Sequence, residues 1–308
     1  MSNCILCHSS SGLMLFKATS YRESSSGFPE QHYYKCSDCG AVYIAPTIDK
    51  SIISNRYRDA NNYLGETFSN AVVEAYNGIQ RIKHATQNQS YNLPMLSSAI
   101  YHRELRSIKP GKVLDVGCGD GHLLIELERS GWDIYGTEYN EVSLAALNKQ
   151  YPGKFRNPES DFSDWYDTFD VIMLNQVIEH IEQPSELIKI LLPLLARNGV
   201  MIIVTPNLDS WARHIFGRHW VQFWPPEHVV LYGAKQLKAL LARNNMSVIR
   251  VQTYAEPGTD YGLSFRTALN LPNKTVSKSE KLLWYPVSLL GTFMLSGSQL
   301  VVIAQRNN

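Results

Sequence analysis

The run Val113-Leu114-Asp115-Val116-Gly117-Cys118-Gly119-Asp120-Gly121 limits what this chain can fold into more than any other segment. Its first four residues read as a buried strand, and the three glycines at every second position read as a tight turn. Leu123, Leu124 and Leu127 then mark the inward face of a helix. Strand, glycine turn and helix begin a βα unit, so the chain is committed to an α/β architecture. The glycines remove β-carbons where the turn is tightest. A ligand can then lie against bare backbone, with the N–H groups at the helix start expected to face it. A nucleotide-like cofactor suits that place.

The spacing narrows the cofactor. A dinucleotide fingerprint runs G-x-G-x-x-G, with the pyrophosphate on the helix N-terminus. Here the third glycine comes one residue early, and Asp115 stands two residues before the first. A carboxylate beside the loop suits a ligand carrying an ammonium group and repels a pyrophosphate. Downstream, Asp133–Thr137 reads as a second strand ending in Glu138, an acid able to accept both hydroxyls of a ribose. Dinucleotide folds use an acid at similar spacing, so the glycine spacing and Asp115 discriminate, not Glu138.

VLDVGCGDG followed by GTEYN resembles the first two motifs of class I S-adenosylmethionine-dependent methyltransferases. FDVIMLNQVIEHI (169–181) resembles their fourth-strand motif, NGVMIIVTPN (198–207) the fifth strand, and GSQLVVIAQRN (297–307) the final strand. Several motifs in order make the resemblance specific over residues 100–308. It implies a Rossmann-like, seven-stranded α/β methyltransferase sheet with a reversed last strand. It also implies roles. Gly117, Cys118, Gly119 and Gly121 allow close approach to S-adenosylmethionine, and Asp115 helps to hold its amino-acid end. Glu138 takes the ribose, and Tyr139 packs beside the adenine. Glu159 sits in the loop that contacts the adenine, with Ser160 and Asp161 competing for that role. Asn175 and Gln176 follow the fourth strand, at the edge where ligands bind in such sheets.

Four of the five cysteines form two knuckles, Cys4-x2-Cys7 and Cys36-x2-Cys39. Two such pairs supply four thiolates for a tetrahedral zinc site, with no position left for water, so the zinc is expected to be structural. Between them, LMLFKATSY and HYYKC alternate as hairpin strands do. Residues 1–46 carry Lys17, Arg22 and Lys35 against Glu23, Glu30 and Asp38, and four thiolates on Zn²⁺ would add negative charge. Such a segment is a poor phosphate binder, and the whole chain's net charge of +1 likewise argues against nucleic acid as a partner. YKCSDCGAVYIAP resembles the ribbon that precedes the catalytic domain in bacterial methyltransferases of the sugar and polysaccharide-biosynthesis type. The partner this implies is a small or sugar-linked acceptor.

Three regions follow: a zinc ribbon over 1–46, a helical connector or cap over 47–110, and the methyltransferase domain over 111–308. Asn140 reads as the N-cap of a helix carrying Val142, Leu144, Ala145 and Leu147. Glu186–Ala196 reads as another helix, kinked or shortened by Pro193, and Gly233–Asn245 as a further one. Leu282 to Ala304 holds no charged residue. Its prolines, glycines and polar residues favour an apolar helix, a turn and a buried strand over a bilayer span, with shallow membrane contact through 282–295 a further option. MSNCILCHSS has neither the basic nor the apolar run of a secretory signal, so the expected location is cytoplasmic.

Transfer of a methyl group is largely a matter of positioning, and a hydroxyl or carbon-acid acceptor also needs a general base. His180, just past the fourth strand, and His228, in WPPEH, are the candidates. Ser210–His228 packs five aromatics among arginines and histidines and reads either as a sugar-stacking surface or as a lid packed by its own rings. Methyl transfer to a nucleotide- or lipid-linked sugar is the leading expectation. An RNA methyltransferase that grips through its ribbon, or a cofactor-binding scaffold without turnover, are the alternatives.

Overall fold

The computed structural model describes residues 3–17, 30–48, 104–105, 108–254, 257–271 and 276–307. The helical stretch expected over 47–110 falls almost wholly outside these residues. The chain divides into two compact units, one of residues 1–48 with 165–308, the other of residues 49–164.

The first unit begins with an antiparallel meander, β1 (Gly12–Lys17), β2 (His32–Cys36) and β3 (Val42–Ala45). Its strands bury Tyr33, Cys36, Val42, Tyr43, Ile44 and Ala45. The cysteine knuckles lie in the turns at its end, before β1 and between β2 and β3.

The second unit carries β4 (Lys112–Val116), α1 (His122–Arg129), β5 (Asp133–Thr137), α2 (Glu141–Gln150) and β6 (Phe155–Arg156). Its three strands are parallel, with Asp115 opposite Gly136 and Gly136 opposite Phe155. α1 buries Leu123, Leu124, Ile125 and Leu127, the face its sequence predicts. α2 starts where Asn140 Oδ1 accepts the Ser143 N–H at 2.9 Å. That cap is the one expected from the sequence. Ser143 and Leu147, four apart, turn inward, while Val142 is 59% exposed.

The first unit resumes with β7 (Phe169–Asn175), α3 (Pro184–Leu191), β8 (Leu195–Pro206), α4 (Trp211–Phe216), β9 (Val230–Leu231) and α5 (Ala234–Arg243). It ends with β10 (Met246–Tyr254), α6 (Ser264–Ala268), α7 (Lys278–Phe293) and β11 (Gln299–Arg306). α3 stops at Leu191, five residues short of the expected Ala196. Pro193 brings no N–H to the helix ladder, so the chain tightens into a 3-10 turn over Leu192–Leu194 and enters β8. β7 and β8 are parallel, and β11 runs antiparallel to both β8 and β10. The α/β part thus has seven strands, three in one unit and four in the other.

The N-terminal meander does not stand alone. β3 pairs with β9, Val42 opposite Leu231. Gln236 Nε2 donates to the Cys39 carbonyl at 2.8 Å, and an Arg243 guanidinium N–H to the Leu6 carbonyl at 2.9 Å. The meander is therefore a four-stranded sheet completed by residues far along the chain.

Candidate cofactor turn, histidine pair and thiol cluster

The glycine turn between β4 and α1 holds its shape by spending its own N–H groups. Gly117 and Cys118 both donate to the Thr137 carbonyl, at 2.8 and 2.9 Å. Gly121 donates to the Cys118 carbonyl at 3.0 Å, and His122 to Asp120 Oδ1 at 3.1 Å. Gly119 donates to Glu138 Oε2 at 2.9 Å. The amides of the turn are thus largely spent, while the helix starts at His122 without a side-chain cap from Gly121. A pyrophosphate needs such amides free, so their consumption strengthens the case against a dinucleotide.

The turn opens at one glycine and closes at another. A β-carbon on Gly119 (φ +58°) would meet nothing within 4 Å, so that side of the backbone borders open space. A β-carbon on Gly121 (φ +75°) would come within 2.6 Å of Leu147 Cδ2. Gly121 is therefore set by helix packing. Cys118 is buried, and its sulfur lies where a Gly136 β-carbon would meet it at 2.7 Å, so the thiol fills the core beside β5.

Glu138 bridges the turn and the next loop. Its Oε2 takes the Gly119 N–H, and its Oε1 takes the Asn140 N–H at 2.9 Å. Each oxygen keeps further acceptor capacity for a pair of hydroxyls. Asp115 is 3% exposed, and its Oδ1 has no hydrogen-bond partner among the described atoms. Burial pushes its carboxyl up to about 8. A buried carboxyl whose Oδ1 lacks a partner, beside an open stretch of backbone, is chemically suited to an ammonium group, whose charge would favour its ionised form. These features fit S-adenosylmethionine. Tyr139 is half-buried beside Glu138, and Glu159 lies exposed on the following loop.

In the other unit, β7 ends at Asn175, whose buried Oδ1 has no partner among the described atoms. Gln176 is committed elsewhere, since its Nε2 donates to Gln299 Oε1 at 2.8 Å and pins the β7 end to β11. His180 and His228 meet edge to face, ring centroids 4.7 Å apart. His180 Nδ1 lies 2.9 Å from the Glu227 carbonyl, and His228 Nδ1 lies 2.8 Å from the Gln222 carbonyl. A carbonyl can only accept, so each Nδ1 carries the proton and each Nε2 keeps its lone pair. Burial lowers His180 to about 4, which holds it neutral at working pH. His228 is almost fully buried, whereas His180 keeps part of its surface open.

Sequence reasoning passed over Glu179. It is fully buried, and burial pushes its carboxyl up to about 8. Oε2 accepts from Thr205 Oγ1 at 2.9 Å, while Oε1 has no partner among the described atoms. Glu179, His180 and His228 each bring a ligand-type atom within 4.8 Å of the others. The adjacent Glu-His pair past a strand was the available signal. Of the aromatics in Ser210–His228, Phe216, Trp220 and Phe223 are buried against their own fold. Phe223 packs on Phe16 and Tyr33, so most of this segment is internal packing, with Trp224 lying against His228.

The four thiols of Cys4, Cys7, Cys36 and Cys39 lie within 4.8 Å of one another and form no disulfide. Cys4 and Cys39 sulfurs are 3.7 Å apart, Cys7 and Cys36 sulfurs 3.5 Å. A tetrahedral zinc with Zn–S of about 2.3 Å has S···S edges of about 3.8 Å, so the four positions fit that ion.

Residues 91–251, just over half of the chain, match the family model described as a methyltransferase domain. The chain belongs to this methyltransferase family, the class its motifs led one to expect. Among curated relatives, the ubiquinone biosynthesis O-methyltransferase of Cereibacter sphaeroides is 30% identical over 124 residues, 38% of this chain and 50% of that protein. The protein of the same name from Bartonella quintana is 26% identical over 208 residues, 60% of this chain and 82% of that protein. The chain thus spans about half the length of the first of these relatives. Among solved structures, an S-adenosylmethionine-dependent methyltransferase from Archaeoglobus fulgidus is 20% identical with a TM-score of 0.45, covering 68% of this chain and 95% of that one. The 1,6-didemethyltoxoflavin-N1-methyltransferase of Burkholderia thailandensis, solved with S-adenosylhomocysteine, is 14% identical with a TM-score of 0.46, covering 88% and 98%.

Proposed function

We propose that this protein transfers a methyl group from S-adenosylmethionine to a hydroxyl of a small-molecule acceptor. The observation that carries this reading is the turn itself. The amides of Gly117, Cys118, Gly119 and Gly121 are bonded internally, its open side lies at Gly119, and Glu138 and the buried Asp115 flank it. Bound there, the cofactor supplies a methyl group already activated on a positive sulfonium. Glu138 accepts the ribose hydroxyls, and Asp115 faces the ammonium end. His180 is assigned as the general base, because the Glu227 carbonyl holds its proton on Nδ1, which makes Nε2 the basic nitrogen of the ring. His228 orients it edge to face.

The acceptor is a sugar linked to a nucleotide or a lipid, in polysaccharide biosynthesis. This rests on the ribbon resemblance, and the four thiols would hold a structural zinc. A second reading has a specific support: the curated relatives are named for ubiquinone biosynthesis, which favours a phenolic hydroxyl on an isoprenoid-linked ring. Calorimetric titration with S-adenosylmethionine, followed by methyl incorporation into a panel of nucleotide sugars and isoprenoid phenols, tests both. Glu138→Ala should weaken cofactor affinity about ten-fold or more, the cost of roughly two lost charge-assisted hydrogen bonds. Glu138→Gln serves as the shape-preserving control. Wild-type affinity in both variants would remove the ribose assignment.

A further inference from the structure

α7 is amphipathic in the wrong sense for a helix that serves only its own core. Towards the protein it turns Ser288 and Gly291, both buried, and Trp284, which stacks on Tyr261 at 5.7 Å. Outward it turns Leu282, Leu283, Leu289, Leu290, Phe293 and Met294, which are 41% to 78% exposed. These six expose on the order of 700 Å² of apolar surface, more than the roughly 300–600 Å² of the largest patch on an ordinary monomer. The apolar surface continues past the helix end. Leu295 is 56% exposed and sits at φ +56°, a conformation where glycine or asparagine is usual. The fold thus tolerates a strained leucine that it does not bury.

The chemistry of this face selects its occupant. A protein partner would form about one hydrogen bond per 100–200 Å² of interface, and the six outward side chains offer only the weak thioether acceptor of Met294. Charge adds a second selection. Residues 264–295 hold Arg266, Lys274, Lys278 and Lys281 against Glu280 alone. Glu280 is occupied by Arg266 at 2.9 and 3.1 Å and by the helix cap at Ser277. Lys278 and Lys281 thus stand exposed at the start of the apolar face, and the acid between them, Glu280, is turned to Arg266 and Ser277. At 16 residues the helix is about 24 Å long, short of the roughly 30 Å hydrocarbon core. No helix among the described residues is long and apolar enough to cross a membrane.

We propose that α7 lies in the plane of a bilayer surface carrying anionic headgroups, with its leucines and Phe293 in the acyl boundary and Lys278 and Lys281 among the headgroups. The inference does not depend on the methyl-transfer reading. It is tested by flotation of the full chain with phosphatidylcholine vesicles, with and without phosphatidylglycerol. Wild type should float with both, and more strongly when phosphatidylglycerol is present. Leu290→Glu with Phe293→Glu should cut the bound fraction about ten-fold while leaving the melting temperature unchanged, since both positions face solvent. Lys278→Glu with Lys281→Glu should abolish the preference for phosphatidylglycerol, and it carries the test should the first pair not fold. The proposal is overturned if wild type stays in the aqueous fraction, or if the variants float as wild type does. A wild-type dimer that the double glutamate variant converts to monomer, without vesicle binding, would assign the face to a second copy instead.

Discussion

Two glycines two residues apart have different reasons to be glycine, and a pair of substitutions separates them. Gly119→Ala adds a methyl group to open space, so only the positive φ resists it, at about 1–2 kcal/mol. That methyl occupies the side where the cofactor would lie. The expected result is a small drop in melting temperature with a large loss of S-adenosylmethionine affinity. Gly121→Ala adds the same φ cost and a collision with Leu147, and overpacking costs a further 1–3 kcal/mol or so. Its melting temperature should fall further than that of Gly119→Ala. Thermal unfolding and calorimetry on both variants check the contrast, and equal affinities would place the cofactor away from Gly119. Asp115 offers a pH test at the same scale. Burial raises its folded pKa to about 8, above the ordinary 3.8 of an aspartate, so the contribution of its protonated form is complete below pH 4 and is lost as pH rises through 8. Asp115→Asn removes that dependence. The variant should match wild type near pH 4 and gain on it steadily up to pH 8, by roughly 5 °C or more in melting temperature. A gap that stays constant with pH would show that Asp115 is not desolvated in solution.

At the scale of elements, the sequence was legible wherever local chemistry decides the outcome. The strand, turn and helix around Gly117–Gly121, the Asn140 cap and the helix, turn and strand from Lys278 to Arg306 are each written in neighbouring residues. Pro193 announced that α3 would be cut short, and only the residue at which it stops needed the structure. What stayed hidden depends on distant partners. Nothing near Val230 signals that a two-residue strand will complete the thiol-bearing sheet, and nothing in Gln236 signals its bond to Cys39. Likewise, the amides of Gly117, Cys118 and Gly119 read as free because their acceptors, Thr137 and Glu138, lie about twenty residues on. These long-range contacts change what removal of a metal should do. Burial pushes Cys4 up to about 11, so without a cation its thiolate is disfavoured, and a bound Zn²⁺ would reverse that. Chelation should therefore loosen β1–β3 and, through β9, Gln236 and Arg243, residues 230–243 as well. Hydrogen exchange should show lost protection over both stretches and none over 133–150. Exchange unchanged by chelator, with no zinc by elemental analysis, would remove the metal from the cluster.

For the whole molecule, the consequence concerns where the chain can be cut. Pro46 reads as the end of a separable ribbon, and a deletion of residues 1–48 would follow naturally from the sequence. The compact unit is instead assembled from both ends of the chain, residues 1–48 and 165–308. Deletion would leave β9 without its partner β3, leave Arg243 and Gln236 without the carbonyls of Leu6 and Cys39, and uncover the ring of Phe223 that packs on Phe16 and Tyr33. An aromatic of this kind contributes about 1.5–3 kcal/mol when fully buried, and each lost hydrogen bond about 1 kcal/mol. Set against a typical total stability of about 5–15 kcal/mol, the combined loss is severe. A chain starting at Asp49 should therefore melt well below the full-length protein and aggregate through its uncovered edge. Thermal unfolding of the two forms side by side decides it. Equal melting temperatures would mean that the N-terminal sheet rests on 230–243 without stabilising it, and that the boundary read from Pro46 is a true one.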